Sequence, residues 1–76
     1  MKLLVLSESE ELFKKAIKKY PSDLEYVYCS NPVHLSAFDP PTKYIVVGNV
    51  GADLLKAAKE KNLKLDILFL ESIKKS

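Results

Sequence analysis

The chain of 76 residues contains no arginine, no glutamine and no tryptophan, and it has one cysteine and one histidine. Without arginine, no site can use the planar guanidinium fork that recognises phosphate, carboxylate and guanine edges. One cysteine excludes an internal disulfide, and Cys29 with His34 is too small a set for a structural zinc site. We therefore expect a reducing, cytoplasmic setting and neither a metal nor a cofactor.

Long apolar runs and a strong excess of one charge are also missing. No run approaches the ~18 to 20 residues that a membrane-spanning helix needs, and the apolar start of the chain ends at Ser7, before a group of glutamates. The formal net charge is only +2. These features predict no membrane partner. The abundance of Lys and Glu is typical of thermophile proteins, although an AT-rich genome gives the same lysine bias.

The length of the chain limits it to one hydrophobic core, so we expect residues 1–76 to form a single α/β domain. A domain of this size buries only roughly 60% of the surface that its unfolded chain exposes. Its core is therefore marginal without a staple or a partner. We therefore expect the chain to gain stability by assembling into a homodimer or a higher homo-oligomer.

Four segments have the composition of β-strands. Residues 2–6 and 44–47 leave neither face polar, which is typical of strands buried on both sides. Residues 24–29 alternate, with Leu24, Tyr26 and Tyr28 on one side, and this pattern predicts an edge strand. Residues 65–70 predict a fourth strand, and residues 71–76 a frayed tail or a short helix.

Helix signals lie between these strands. Ser7 followed by Glu10 fits a capping box at the start of an amphipathic helix that Pro21 ends. Asn31 before Pro32 predicts a short helix over residues 33–38. A longer helix is expected over residues 50–61, with Asn62 at its left-handed C-terminal cap.

The alternation of strands and helices predicts parallel pairing through right-handed crossovers. We expect a minimal three-layer, Rossmann-like or flavodoxin-like sheet of four strands in the order 2-1-3-4. The alternative is a ferredoxin-like βαββαβ sandwich with antiparallel strands. Two-sided apolarity in the first and third strands favours the parallel sheet, because an open-faced sheet has a polar side.

In a parallel sheet, ligands bind at the carboxyl ends of the strands, where the strand order reverses. Here that point lies between the first and third strands, and both are followed by helix N-termini, whose free amides suit an anion. The polar and glycine residues at these ends form a candidate site for a small anionic ligand such as a phosphate or a nucleotide. They are Ser7, Ser9, Gly48, Asn49 and Gly51.

Gly48 and Gly51 stand between a strand and a helix, and Glu71 follows twenty residues after Gly51. This arrangement resembles part of the dinucleotide-binding fingerprint, and the resemblance implies that Glu71 would bind a ribose. The sequence departs from the fingerprint at its first glycine, where Val46 stands. The structural alternative is that Gly48 forms a turn and Gly51 lets the helix approach the strand closely.

Cys29 is the best candidate for a nucleophile, because the end of a strand before a helix can lower the pKa of a thiol. The sequence offers it no base, no second thiol and no arginine, so we predict that Cys29 is a buried, unreactive cysteine and is not catalytic. His34 is interpreted as a surface or capping residue. With no complete catalytic constellation, we predict that the chain is not an enzyme.

Three functions follow from these patterns. The first is a non-enzymatic, homo-oligomeric module acting through protein contacts, with Tyr26 and Tyr28 of the edge strand at the interface. The second is binding of a small anionic ligand at the carboxyl ends of the first and third strands. The third is nucleic-acid binding through the lysines of the first helix, which the low net charge disfavours.

Overall fold

The computed structural model of the chain describes residues 2–74, in which strands and helices alternate. The strands are β1 (Lys2–Ser7), β2 (Glu25–Cys29), β3 (Lys43–Val47) and β4 (Lys64–Leu65). The helices are α1 (Glu10–Ile17), α2 (Pro32–Leu35), α3 (Ala52–Glu60) and α4 (Ile67–Lys74). No helix in this part of the chain has the length and apolarity needed to cross a membrane.

The four strands form one parallel sheet in the order β2-β1-β3-β4, which confirms the predicted topology. β1 pairs with β2 from Lys2 opposite Glu25 to Leu6 opposite Cys29. It pairs with β3 as far as Ser7 opposite Val47. The antiparallel, ferredoxin-like alternative is therefore wrong.

Helices cover both faces of this sheet, and an apolar cluster lies between the sheet and each of the two helix layers. On one face Leu3, Val5 and Ile45 pack with residues of α1 and α4, including Phe69. On the other face the core joins β1 and β3 to α2 and α3. Its buried members are Leu4, Leu6, Cys29, Leu35, Tyr44, Leu54, Ala58 and Leu63. Burial of β1 on both faces confirms what its unbroken apolar run predicts.

The predicted boundaries of three helices need correction. α1 begins after Ser9, not after Ser7, and its regular turns end at Ile17, before Pro21. α2 ends at Leu35, although Asn31 caps it as expected by accepting a hydrogen bond from the Val33 amide. α3 begins at Ala52 instead of residue 50. The left-handed conformation of Asn62 after α3 is confirmed by its φ of 62°.

The predicted fourth strand over residues 65–70 is wrong for most of its length. Only Lys64 and Leu65 pair with β3, and the following residues form α4. Asp66 causes the change, because its Oδ1 accepts a hydrogen bond from the Phe69 amide at 3.1 Å and so caps the new helix. The cap turns the apolar run back across the sheet, where Phe69 is buried.

Candidate functional site

The carboxyl ends of β1 and β3 meet, as the sequence predicts for neighbouring parallel strands. Ser7 and Val47 are register partners, so the loop after each strand begins at the same edge of the sheet. A Cβ atom built on Gly48 would lie 3.3 Å from Cδ1 of Leu12 and 3.6 Å from Oε1 of Glu8. The structure therefore brings the two predicted halves of the ligand site together.

Ser7 is not the N-cap of α1, which corrects the predicted capping box with Glu10. Its side chain is fully buried. Its Oγ donates a hydrogen bond to the Ser9 carbonyl at 2.9 Å and accepts one from the Ser9 amide at 3.4 Å. Both bonds hold the β1–α1 turn, so the hydroxyl of Ser7 already has partners within the chain.

Ser9 occupies the N-cap position, where its Oγ accepts a hydrogen bond from the Leu12 amide at 3.2 Å. This bond satisfies one of the amides that the first turn of a helix leaves free. The acceptor role of Ser9 is therefore used inside the protein. Of the two serines predicted to hold an anion, Ser7 has a hydroxyl that already donates and accepts within the chain, and Ser9 has an Oγ that serves as the cap of α1.

After β3, Gly48 forms the expected turn, whereas Gly51 does not have the close-packing role expected of it. Gly48 has a φ of 74°, in the left-handed region that favours glycine. Gly51 is the N-cap of α3, and no side chain, that of Asn49 included, caps this helix with a hydrogen bond. A Cβ at Gly51 would meet nothing within 4 Å, which overturns the interpretation that Gly51 permits close packing.

The charges around this edge are mostly negative. Glu10 and Glu11 lie in the first turn of α1 and pair with Lys14 and Lys15 at 3.0 and 3.9 Å. Glu8 reaches the Gly48 turn, and Asp53 lies in the first turn of α3. Carboxylates near the N-terminus of a helix interact favourably with the positive end of its dipole, but they repel an incoming anion. Anion binding here stays a prediction with little electrostatic support.

Glu71 lies in α4, not just beyond a strand, so it does not occupy the position that the dinucleotide fingerprint requires. No group of three His, Cys, Asp or Glu side chains in residues 2–74 is arranged to hold a metal ion.

Cys29 is buried among the apolar side chains between the sheet and the α2–α3 layer. Burial raises the pKa of its thiol from 9.0 to about 11, because desolvation disfavours the thiolate. The prediction of a buried cysteine is confirmed, and the helix that follows β2 does not lower the pKa of the thiol. His34 lies nearby on α2, where its Nδ1 accepts a hydrogen bond from the Ser30 amide at 3.3 Å.

Tyr26 and Tyr28 lie on β2 at the edge of the sheet, as predicted, and both are half-buried. The ring of Tyr26 packs 5.6 Å from that of Tyr20 and 6.2 Å from that of Phe69, and its hydroxyl donates a hydrogen bond to the Pro21 carbonyl. The ring of Tyr28 lies 5.4 Å from that of Phe13. The ring of Tyr28 therefore contacts α1, whereas the ring of Tyr26 contacts α4 and the turn after α1.

Sequence reasoning missed a cleft at the opposite, amino-terminal edge of the sheet. Two adjoining cavities of about 340 and 250 Å³ share Pro41, Thr42 and Lys43 in their walls. Lys2 and Lys64 line one cavity each. The available signal was a lysine at the first position of three of the strands, β1, β3 and β4.

Comparison of the chain with models of protein families, with curated proteins and with solved structures found no match in any of the three.

The two glycines at the carboxyl edge differ in a way that mutation can measure. Gly48→Ala is expected to cost about 1 to 2 kcal/mol of folding free energy, because an L-residue is strained at positive φ. Its Cβ would also press on Leu12. Gly51→Ala is expected to change stability by less than about 0.5 kcal/mol, because its φ of −65° is ordinary and the space around it is open. Urea unfolding followed by circular dichroism compares the two variants, and equal losses would contradict the structure of this loop.

Proposed function

We propose that this chain is a non-enzymatic module that associates with a second copy of itself through the outer edge of β2. The observation that carries this proposal is the position of β2 in the sheet. β2 pairs with β1 along its whole length, and within residues 2–74 no strand lies on its other side. Alternate residues of an edge strand present unpaired N–H and C=O groups, which a second chain can satisfy.

Edge strands that do not associate usually carry a protective feature such as lysine, proline, a bulge or very short length. The outer strand on the other side of the sheet, β4, has two of these features, because it contains two residues and one is Lys64. β2 has five residues and continuous register with β1, and Glu25 is its only charged residue. Glu25 lies at the start of the strand, with its carboxylate 4.0 Å from Lys2.

The sequence of β2 is also complementary to itself. Its five residues read Glu-Tyr-Val-Tyr-Cys, which is nearly symmetric about Val27. An antiparallel pair with a two-fold axis at Val27 places Tyr26 opposite the partner's Tyr28 and Glu25 opposite the partner's Cys29. Aromatic pairs across strands each contribute about 0.2 to 1 kcal/mol, and no like charges are opposed. A second copy of the chain therefore fits this edge.

Contacts within the single chain already hold the rings of Tyr26 and Tyr28 in place. Phe13 of α1, Tyr20 in the turn after α1 and Phe69 of α4 contact them, and the Tyr26 hydroxyl is anchored to the Pro21 carbonyl. A side chain that is already ordered loses little conformational entropy on binding. This support favours association through Tyr26 and Tyr28 without a change in the fold.

Sedimentation velocity of the wild type, Val27→Lys and Val33→Lys tests the proposal. Wild type is expected to sediment at twice the mass of the chain at high micromolar concentration. Val27→Lys is expected to sediment as a monomer, because two ammonium groups would face each other across the axis. Val33→Lys is the matched control, since Val33 is 71% exposed on α2 and belongs to no strand, and this variant is expected to remain dimeric.

A monomeric wild type would overturn the proposal. So would dissociation by Leu68→Glu with no effect of Val27→Lys, because Ile67 and Leu68 form the main exposed apolar group at the start of α4. Circular dichroism of each variant separates loss of association from loss of folding.

A further inference from the structure

We propose that the cleft at the amino-terminal edge of the sheet binds a small amphipathic carboxylate, with its apolar body in the larger cavity and its carboxylate between Lys43 and Lys64. This cleft lies at the opposite end of the strands from the glycine loop, and β2 contributes no residue to its walls. The proposal therefore stands apart from self-association through β2.

The larger cavity has the volume and the lining of a small-molecule site. Its volume of about 340 Å³ lies at the lower end of the range for ligand pockets. Its apolar wall comes from Leu3, Leu24, Phe38 and Pro41. An aliphatic chain placed against these side chains leaves water, which is the main driving force for binding an apolar body.

Lys43 and Lys64 supply the positive charge. They are register partners on neighbouring parallel strands, about 4.8 Å apart, so their side chains leave the same face of the sheet. Among the described residues neither has a carboxylate within ion-pair distance, whereas Lys2 pairs with Glu25 and Lys61 with Asp39. Two like charges side by side repel each other, and an anion between them relieves that repulsion.

Asp66 is the one carboxylate that the described residues contribute to the cleft wall, and it tunes the site. Its Oδ1 accepts a hydrogen bond from the Phe69 amide, so it is held in place as the cap of α4. Asn caps a helix as well as Asp does. Asp66→Asn therefore removes a negative charge from the cleft while it keeps the cap, and we expect this variant to bind the carboxylate more tightly.

An amide NMR titration of the ¹⁵N-labelled chain with sodium octanoate tests this site. Saturable shifts are expected at Leu3, Leu24, Phe38 and Lys43. Octanol, which has the same chain length without the charge, is expected to bind about tenfold more weakly, as is typical when a charged hydrogen bond is lost. Inorganic phosphate, which has no apolar body, is expected to cause no saturable shift in these residues.

Single-residue variants test whether Lys43 and Lys64 supply the positive charge that binds the carboxylate. Lys43→Gln and Lys64→Gln are expected to weaken octanoate binding about five- to tenfold and leave octanol binding unchanged. Lys56→Gln, an exposed lysine on α3, is the control and is expected to change neither. The proposal is overturned if octanoate causes no saturable shift, if octanol binds equally well, or if Lys56→Gln weakens binding as much as Lys43→Gln. The dispersion of each spectrum shows whether the variant is folded.

Discussion

Leu4→Ala is expected to lower the free energy of unfolding by about 2 to 5 kcal/mol, the range for removing a buried leucine side chain. Leu4 lies at the centre of β1, between β2 and β3, and has no exposed surface. A helix layer covers it, so the cavity left by the substitution cannot fill with water at no cost. In a domain with a core this small, the loss is a large fraction of the total stability.

Leu68→Ala is the matched control, because Leu68 is 73% exposed and its loss is expected to change stability by less than about 0.5 kcal/mol. Urea unfolding at one fixed protein concentration measures both variants, since the stability of a dimer depends on concentration. Leu4→Met, which conserves volume, is expected to cost less than about 1.5 kcal/mol. A loss below about 1 kcal/mol for Leu4→Ala would contradict the central position of β1.

Cys29 is expected to react with a small disulfide reagent at pH 7 at least about 100-fold more slowly in the folded chain than in urea. A pKa raised from 9.0 to about 11 lowers the thiolate fraction about 100-fold, and burial of the sulfur restricts access further. Because pH 7 lies below both values, the rate is expected to rise about tenfold for each pH unit up to about pH 9 in either state. Rapid reaction of the folded chain at neutral pH would contradict this prediction.

The same shift makes stability depend on pH in the alkaline range. The unfolded thiol loses its proton near pH 9 and the folded thiol near pH 11, so between these values the folded state binds more protons. Stability is therefore expected to fall as pH rises through this window, by up to about 1.4 kcal/mol per unit. Cys29→Ala is the control. It removes the contribution of the thiol to the pH dependence of stability and leaves that of the tyrosine hydroxyls in place.

The topology could be predicted from the sequence because few residues decided it. Unbroken apolarity in β1 and β3 required a layer on each face, and only a parallel sheet with crossover helices supplies both layers. The alternation of Tyr26 and Tyr28 with Val27 placed β2 at an edge, where the structure has it. Periodicity and burial carry this information within a few consecutive residues.

The end of the chain could not be predicted by the same reasoning. The apolar run after Asp66 has no period that separates a strand from a buried helix, and the choice depends on one hydrogen bond from the Phe69 amide to the Asp66 carboxylate. The aspartate before the run was the available signal, since Asp is a favoured N-cap. Tertiary packing of Phe69 against Tyr20, with ring centroids 5.2 Å apart, then holds the helix in place.

The candidate ligand site was predicted in its position but not in its chemistry. Strand order placed Ser7 and Gly48 together, whereas the burial of Ser7 and its hydrogen bonds to Ser9 depend on the helix layers that cover both faces of β1. The lysine cleft was not predicted, because ligands of parallel sheets usually bind at the carboxyl ends of the strands and this cleft lies at their amino-terminal ends. Lys43 and Lys64 are twenty-one positions apart in the chain, and only the β3–β4 register makes them neighbours.

Oxidative cross-linking at Val27 tests self-association through β2 most directly. In a Cys29→Ala background, Val27→Cys places one thiol from each copy at the two-fold axis. Facing Cα atoms in antiparallel strands lie about 4.5 to 5.5 Å apart, which is within the range that a disulfide spans. Val33→Cys in the same background is the control, since that position is 71% exposed. We predict that the Val27→Cys chain forms a covalent dimer faster than the more exposed Val33→Cys chain under mild oxidation, and that urea removes the difference. Equal rates in the folded state, or faster dimer formation by Val33→Cys, would contradict the β2 interface.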